Sequence, residues 1–275
     1  MCGTCGCGEG ARIRVFGGRG AGKPPGGDPG PVGAHEHDHR PGQGHGPGDG
    51  GHAHPADPGR TVVLQQRVLE KNDTLAAANR RWLAGRGILA VNLMSSPGAG
   101  KTTLIERTAT GLGGGPAVSV IEGDQETALD AGRIEAAGCS VVQINTGAGC
   151  HLDAAMVASG LRALDPAAGS VVIIENVGNL VCPALFDLGE HSKVVITSVP
   201  EGAEKPLKYP RMFRVADLVL LNKVDLLPYV EFDTARFAAD LAKIAPRAGL
   251  LPLSAATGDG VTAWYEWLRR RLPLS

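Results

Sequence analysis

The sequence is poor in aromatic residues, in net charge and in long apolar runs, and each shortage excludes a class of function. Aromatic residues make up 4% of the chain, too few for the stacking surfaces that bind single-stranded nucleic acids. The formal net charge is −1, so no long-range field attracts nucleic acid or an anionic membrane. No apolar run approaches the roughly 20 residues of a membrane-spanning helix, and no apolar signal region opens the chain. We therefore expect a cytoplasmic protein without nucleic-acid or membrane partners.

The first part of the chain differs in composition from the rest. The first 60 residues contain 19 glycines and 8 prolines, and their apolar residues are too scattered to build a core. We expect residues 1–59 to form a flexible, metal-binding tail. Residues 60–275 are long enough for one large α/β domain.

Three cysteines lie close together at the start of this tail. Cys2, Cys5 and Cys7 could surround one metal ion, and thiolates suit Ni²⁺, Zn²⁺ or copper. In the reducing cytoplasm, metal ligands are a better interpretation than disulfides. The alternative is a redox-sensitive tail without a dedicated metal.

Histidine is concentrated in the second half of the tail. Six of the eight histidines of the chain lie within 20 residues, and neutral imidazoles bind nickel, zinc and copper. They are His35, His37, His39, His45, His52 and His54. We expect weak nickel binding here, for storage or buffering; the alternative is an expression tag or low-complexity sequence without a function.

From residue 60 onward the hydrophobic pattern predicts alternating helices and strands. An entry helix over 60–84 precedes strands over 88–94, 117–121, 141–144, 171–174, 194–197, 218–221 and 250–253. Helices are predicted after the first strand and over 127–137, 152–164 and 261–272. Such alternation is typical of a doubly wound, mostly parallel sheet with helices on both faces. Ligands of such sheets bind beyond the carboxyl ends of the strands.

The segment SSPGAGKTT at residues 95–103 follows the first predicted strand and precedes a helix. This context is typical of a phosphate-binding loop, whose backbone N–H groups and helix N-terminus hold phosphates. Lys101 would reach the outer phosphates, and the Thr102 hydroxyl would bind Mg²⁺. The predicted contacts are made by Gly98, Ala99, Gly100, Lys101, Thr102 and Thr103. A plain strand–turn–helix corner is the alternative, because the strict pattern has glycine where Ser95 stands.

The tetrapeptide Asn222-Lys223-Val224-Asp225 follows the strand predicted at 218–221. A turn of this type reads guanine in GTPases, where the Asp225 carboxylate would accept from the N1–H and 2-amino groups. Asn222 would tie the base site to the phosphate loop, and the Lys223 stem would cover the base. Ser254 and Ala255, after the last strand, match the loop whose backbone contacts guanine O6. The alternative is a solvated turn.

Several acids follow the strands at this edge. Mg²⁺ prefers oxygen ligands that include phosphate and one or two carboxylates. Asp124, Asp130 and Glu175 are candidates, and Glu175 is favoured because its strand is otherwise apolar. With Thr102, Asp124 and Glu175 form the predicted magnesium site, and Lys101 and Asp124 are the candidate catalytic residues. Each acid could instead be a helix cap or a solvated side chain.

A second metal site is predicted from residues that follow two further strands. Cys150 and His151 come after the strand at 141–144, and Cys182 comes after the strand that precedes Glu175. A Cys/His/Cys set suits Ni²⁺ or Zn²⁺, and so few ligands per chain favour a site shared by two subunits. The alternative is two ordinary cysteines and a surface histidine. We interpret Cys139 as structural.

These motifs together resemble the HypB family, the hydrogenase nickel-incorporation GTPases of the signal-recognition-like (SIMIBI) P-loop class. The resemblance covers residues 63–272, the three-cysteine terminus and the histidine-rich segment. The matching stretches are SSPGAGKTT at 95–103, EGDQET at 122–127, DAGRI at 130–134, NTGAGCHL at 145–152, ENVGNLVCP at 175–183, EG at 201–202 and KPLKYP at 205–210. The serine at position 95 is itself typical of this family.

The resemblance implies GTP hydrolysis coupled to dimerisation and to nickel delivery for [NiFe]-hydrogenase assembly. It implies a high-affinity nickel site at Cys2, Cys5 and Cys7 and a nickel or zinc site at Cys150, His151 and Cys182. The implied partners are a second copy of the chain, a HypA-like nickel chaperone and the hydrogenase large-subunit precursor. Some relatives carry a lysine near the start of the phosphate loop that reaches the other subunit, where this chain has Ser96.

Three other functions share part of this pattern. They are a urease-accessory-type GTPase, a histidine-rich nickel storage protein and a ParA-like ATPase. The adjacent Cys150-His151 pair and the three-cysteine terminus favour the hydrogenase type over the urease type. The guanine-reading turn at residues 222–225 disfavours the ATPase.

Overall fold

The apolar segments of the sequence form the strands of one sheet. The computed structural model describes residues 12–16, 58–124, 129–147 and 149–273. Eight strands are found in these ranges: β1 (Arg12–Phe16), β2 (Leu89–Ser95), β3 (Val118–Asp124), β4 (Ser140–Asn145), β5 (Val171–Glu175), β6 (Ser192–Ser198), β7 (Leu218–Asn222) and β8 (Gly249–Pro252).

The described helices connect these strands. They are α1 (Pro58–Gly85), α2 (Lys101–Gly111), α3 (Leu129–Ala136), α4 (Ala154–Leu164), α5 (Lys205–Lys208), α6 (Pro210–Arg214), α7 (Thr234–Ile244) and α8 (Val261–Arg269). Short 3₁₀ helices are Cys182–Leu185, Val199–Glu201 and Val224–Tyr229. None of the described helices is long and apolar enough to cross a membrane.

The strands follow the order β1-β4-β3-β5-β2-β6-β7-β8. Strands β2 to β8 pair in parallel, and β1 pairs antiparallel with β4. The chain leaves β2 toward one side of the sheet and later returns to build the other side. The loop after β2 therefore lies at the point where strand order reverses, which is where open α/β sheets bind ligands. This confirms the predicted doubly wound α/β class.

Helices cover both faces of the sheet. Because side chains on both faces are buried, the strand sequences are nearly continuous apolar runs. On β2, the side chains of Leu89, Val91 and Leu93 belong to one core cluster, together with Trp264 of α8. Ala90, on the same strand, belongs to a cluster on the opposite face. Alternation of side chains along a strand produces this division between the two layers.

Within residues 1–59, which we expected to form a flexible tail, the structure describes a short strand that was not predicted. Residues 12–16 form β1, whose Ile13 lies opposite Ile144 of β4. The sequence there alternates arginine with β-branched residues, which suits an edge strand, and β1 pairs with the outer edge of β4. The glycine-rich composition of the surrounding segment hides this signal. Helices α5, α6 and α7 were also not predicted.

Helix α1 is fixed to α4 and to the loop before β6 through buried asparagines. Asn72 donates to the Asp187 carbonyl at 2.7 Å and accepts from the Ala154 N–H at 2.9 Å. Asn79 donates to the Ala154 and Leu188 carbonyls, both at 2.9 Å. These contacts satisfy backbone groups that would otherwise be buried without partners. The predicted entry helix is thus an integral part of the domain.

Candidate nucleotide and metal site

The loop between β2 and α2 has the backbone that a phosphate-binding loop requires. Gly98 and Gly100 have φ values of 73° and 100°, in the left-handed region that favours glycine. A Cβ atom on Gly100 would lie 2.4 Å from Asn222 Nδ2, so no larger residue fits there. Helix α2 begins at Lys101, and no described side chain caps its N-terminus. Its first N–H groups can therefore bind an anion.

Ser95 has a definite role at the position where the strict motif has glycine. Its buried hydroxyl accepts a hydrogen bond from Lys101 Nζ at 2.8 Å and donates to the Ser96 carbonyl at 2.6 Å. Burial lowers the pKa of Lys101, and the negative charge of Glu175 opposes this effect. Ser95 thus holds the lysine ammonium at the start of the loop, close to where the outer phosphates would bind.

Acidic side chains converge beside this loop. Thr102 donates to Glu175 Oε1 at 3.1 Å, whereas Glu175 Oε2 and Glu122 Oε2 are buried and find no hydrogen-bond partner among the described residues. Burial raises the pKa of Glu175 to about 7, and burial together with the Glu175 charge raises that of Glu122 to about 8. Asp124 and Asp130 line the same cavity of about 520 Å³.

This site fits Mg²⁺, because it combines the Thr102 hydroxyl with one oxygen each of Glu122 and Glu175 that lacks a hydrogen-bond partner in the described chain. The predicted Thr102, Asp124 and Glu175 lie at one cavity. Glu122 was not predicted. The sequence signal that could have indicated it is its position two residues before Asp124, because alternate residues of a strand share a face. In the sheet, Glu122 pairs in register with Glu175.

The predicted base-reading turn is tied to the phosphate loop by hydrogen bonds. Asn222 Nδ2 donates to the Ala99 carbonyl at 2.8 Å, and Asn222 Oδ1 accepts from the Ala255 N–H at 2.9 Å. Lys223 Nζ donates to the Gly98 carbonyl at 2.7 Å. One asparagine amide therefore joins the loops that follow β2, β7 and β8.

The Asp225 carboxylate lies at the end of the predicted base-reading turn. Its Oδ1 atom is buried and has no hydrogen-bond partner within the described ranges of the chain. Ser254 is fully buried, and its hydroxyl accepts from the Thr257 N–H at 3.1 Å, which shapes the neighbouring loop. An unpaired buried acceptor at this position is what the predicted contact with the guanine N1–H and 2-amino groups requires.

Arg107 is a residue of this site that the sequence did not reveal. From α2, it donates to the Ala255 and Ala256 carbonyls, both at 2.6 Å. It thereby holds the loop after β8 that is predicted to contact the base, and its own carbonyl accepts from the Tyr265 hydroxyl of α8 at 2.7 Å. The partners of Arg107 lie about 150 residues away along the chain, so spacing carries no signal for this role.

The three predicted metal ligands of the domain come together. Ligand atoms of Cys150, His151 and Cys182 all lie within 4.8 Å of one another, and Cys150 Sγ is 3.6 Å from His151 Nδ1. His151 is buried and stacks on Phe186 with 3.9 Å between the ring centroids. Burial lowers the pKa of His151, which favours the neutral imidazole that metals require. The arrangement offers two thiols and one imidazole to a metal ion.

The other cysteines differ from this pair. Cys139 is 4% exposed within the core, and burial raises its pKa to about 11. This agrees with its interpretation as structural. The predicted ligands Cys2, Cys5 and Cys7, and the six histidines at 35, 37, 39, 45, 52 and 54, lie outside the described residues.

Comparison with known proteins assigns the family. Residues 89–252 match the model described as the CobW/HypB/UreG nucleotide-binding domain. The hydrogenase maturation factor HypB of Rhizobium leguminosarum bv. viciae is 53% identical over 209 residues, which are 76% of this chain and 70% of that protein. The chain belongs to the HypB family.

Two solved HypB structures are similar to this HypB-family chain along most of its length. The hydrogenase maturation factor HypB of Archaeoglobus fulgidus is 41% identical with a TM-score of 0.69, over 74% of this chain and all of that one. HypB of Helicobacter pylori, solved in complex with nickel, is 36% identical with a TM-score of 0.68, over 74% and 98% of the two chains. The sequence-based assignment to this family is confirmed.

We predict that Asn222→Ala weakens nucleotide binding at least about tenfold. The substitution leaves the Ala99 carbonyl and the Ala255 N–H buried without their partner, and each such loss costs about 1–3 kcal/mol. Titration with a fluorescent guanine nucleotide measures the effect. Asn72→Ala is the matched control, because Asn72 also makes one donor and one acceptor contact at a buried position. Equal affinities for the two variants would contradict the prediction.

We also predict that the thiols of the domain react in two classes. At pH 8, roughly one Cys139 thiol in a thousand is ionised, because a pKa of about 11 lies three units higher. In the native, metal-free protein, iodoacetamide should therefore modify Cys150 and Cys182 and leave Cys139 intact, as peptide mass spectrometry would show. Urea-unfolded protein, in which Cys139 also reacts, is the control. Native labelling of Cys139 as fast as Cys182 would refute this.

Proposed function

We propose that this chain is a GTP-hydrolysing nickel chaperone that binds Ni(II) and delivers it during maturation of [NiFe]-hydrogenase. The observation that carries the proposal is the Cys150, His151 and Cys182 set at the sheet edge that also holds the phosphate loop. Support comes from the relatives, one of which is a hydrogenase maturation factor and another of which was solved with nickel.

GTP is the nucleotide that the base site fits. Guanine presents an N–H and an amino group on one edge, and the unpaired Asp225 carboxylate oxygen can accept from that pair. Adenine lacks this donor pair at the same edge. Ser254 and Ala255 would place backbone groups at guanine O6, and Asn222 and Lys223 would keep the turn against the phosphate loop.

The phosphates would bind across residues 98–103. Lys101 and the N-terminus of α2 would stabilise their negative charge, and Asp124 would act beside them during hydrolysis. Thr102, Asp124 and Glu175 are the side chains that would hold Mg²⁺, which supplies positive charge to the phosphate oxygens when bound. Such a charge would also keep the Glu175 and Glu122 carboxylates ionised.

Nickel is the cargo of the Cys150, His151 and Cys182 set, and Zn²⁺ is a second ion that the same donors accept. Three donors leave one position of a tetrahedral shell for a ligand from elsewhere. This open position supports a GTP-linked homodimer that shares the ion, or transfer to a HypA-like chaperone and to the hydrogenase large-subunit precursor. The high-affinity site at Cys2, Cys5 and Cys7 and the weak histidine site stay predictions, as does the cytoplasmic location.

The base assignment predicts a change of specificity. Asp225→Asn should raise the GTP dissociation constant at least about tenfold, because an amide NH₂ donor replaces one of the two carboxylate oxygens that accept from guanine. The same variant should gain hydrolysis of XTP, because xanthine carries a carbonyl where guanine carries the amino group. Phosphate release with GTP, XTP and ATP measures this, with the exposed Asp165→Asn as control. Equal turnover of ATP and GTP by the wild-type chain would overturn the GTPase assignment.

The cargo assignment predicts the loss of one nickel ion. In equilibrium dialysis, Cys182→Ala should bind one tightly held Ni²⁺ fewer than the wild-type chain, while its GTP affinity, measured without nickel, should differ less than twofold from that of the nickel-free wild-type chain. Cys139→Ala, a cysteine outside the donor set, should keep full stoichiometry. In cells lacking their own copy of the gene, the wild type and Cys139→Ala should restore hydrogenase activity and Cys182→Ala should not. Hydrogenase activity independent of the wild-type chain would refute the delivery role.

A further inference from the structure

Building on the proposed function, we propose that Leu152 is the positioning residue that couples the nucleotide site to the metal site. Leu152 directly follows His151 in the chain. Its backbone is held by Asn176 at the end of β5, and its side chain packs on Gly123 at the end of β3. It therefore contacts the two strands that carry the proposed magnesium ligands Glu175 and Asp124.

The first contact is a hydrogen bond from residues 150–152, here called the metal segment, to the residue that follows β5, the strand that ends at Glu175. Asn176, the residue after Glu175, is 1% exposed, and its Oδ1 accepts from the Leu152 N–H at 3.1 Å and from the Val177 N–H at 3.0 Å. The Asn176 N–H donates to the Leu93 carbonyl at 3.0 Å. Asn176 is thus fixed to β2 just before the phosphate loop, while its side chain holds the residue beside His151.

Further hydrogen bonds keep the Asn176 amide from rotating. Asn176 Nδ2 donates to Asn92 Oδ1 at 3.3 Å, and Asn92 Nδ2 donates to Glu190 Oε1 at 3.2 Å. Both asparagines and Glu190 are buried. Because every alternative rotamer would leave buried polar groups unpaired, the acceptor for Leu152 has a fixed position.

The second contact is a close approach of the Leu152 side chain to the backbone of β3. Gly123 lies between Glu122 and Asp124, and a Cβ atom there would lie 2.7 Å from Leu152 Cγ and 2.9 Å from both Cδ atoms. Leu152 is fully buried, so its side chain has no solvent-filled space into which it can move. Only glycine allows the leucine to rest directly on the strand, one residue before Asp124.

These two contacts give a physical reason for coupling. Mg²⁺ and the nucleotide phosphates would bind at Asp124 and Glu175, and any shift of either strand end must move Leu152, because packed interiors do not absorb displacement. His151 is covalently adjacent and buried, so its imidazole would move with Leu152. The coupling is reciprocal, which means that nickel must change nucleotide affinity by the same factor.

The test measures nickel binding at this one site in the full-length chain. Protection of Cys150 and Cys182 from iodoacetamide, quantified by peptide mass spectrometry across a Ni²⁺ titration, excludes signal from the other cysteines and histidines. The midpoint is compared with a non-hydrolysable GTP analogue and with GDP, both with Mg²⁺. We expect the two wild-type midpoints to differ roughly 5- to 150-fold, the usual range of allosteric coupling.

Asn176→Ala and Gly123→Ala should bring the ratio of the two nickel midpoints, one with the GTP analogue and one with GDP, to within twofold of one. Both variants should still bind nickel and nucleotide. The first removes the hydrogen bond to Leu152, and the second displaces its side chain, so either variant suffices if the other does not fold. Asn79→Ala is the matched control, because Asn79 is also buried and loses two hydrogen bonds, to Ala154 and Leu188. It should lower stability but keep the wild-type ratio.

A wild-type ratio retained in both variants would overturn the inference, as would a ratio of one in the wild type with both ligands bound. A ratio that also collapses in Asn79→Ala would mean that stability, and not the Leu152 contacts, sets the value. Failure of the proposed function is a separate result. It would appear as wild-type protein whose Cys150 and Cys182 gain no nickel protection, or that binds no guanine nucleotide, and the inference would fall with it.

Discussion

The parallel register of β2, β5 and β3 is the constraint on which both sites depend. Leu93 pairs with Glu175, and Glu175 pairs with Glu122, so three neighbouring strands end at one level. The phosphate loop, the proposed magnesium carboxylates and the metal segment are attached to these ends or to the next strand, β4. Parallel strands require crossovers of a dozen or more residues, so residues as far apart as positions 95 and 182 follow strand ends at the same edge of the sheet.

This convergence places several charged groups where water cannot solvate them. Glu122 and Glu175 are buried as neighbours, and each has a carboxylate oxygen that lacks a partner in the described ranges. Both pKa values rise for that reason, and the pKa of the nearby Lys101 falls. Buried polar groups without partners are rare in folded proteins and mark places where a ligand completes the arrangement. A divalent cation and phosphates, the ligands proposed above, would supply the missing charges and hydrogen bonds at once.

The order of the main elements could be predicted because each strand or helix that packs on the core has apolar residues at the spacing typical of its type. It predicted their ends less well. The strand predicted to end at residue 121 continues to Asp124, since parallel pairing with β4 and β5 persists through polar residues. Motif residues such as Lys101, Asn222 and Cys182 were found because their chemistry is tied to spacing. The support that Arg107 and Asn176 give to neighbouring loops was not predicted, because it depends on hydrogen bonds to distant backbone groups.

The metal set itself indicates a site for transfer rather than permanent retention. A structural zinc site closes its shell with four protein ligands, whereas exchange requires an open position. The described chain supplies three donors, of which one is a buried imidazole and two are partly exposed thiols on separate loops. Cys182 lies in a 3₁₀ helix after β5, and Cys150 and His151 lie after β4, so a relative displacement of these strand ends changes the distance between donors. An ion held between two separate strand ends would be released by a change at the nucleotide that displaces one end relative to the other, which a closed four-ligand shell on one loop would resist.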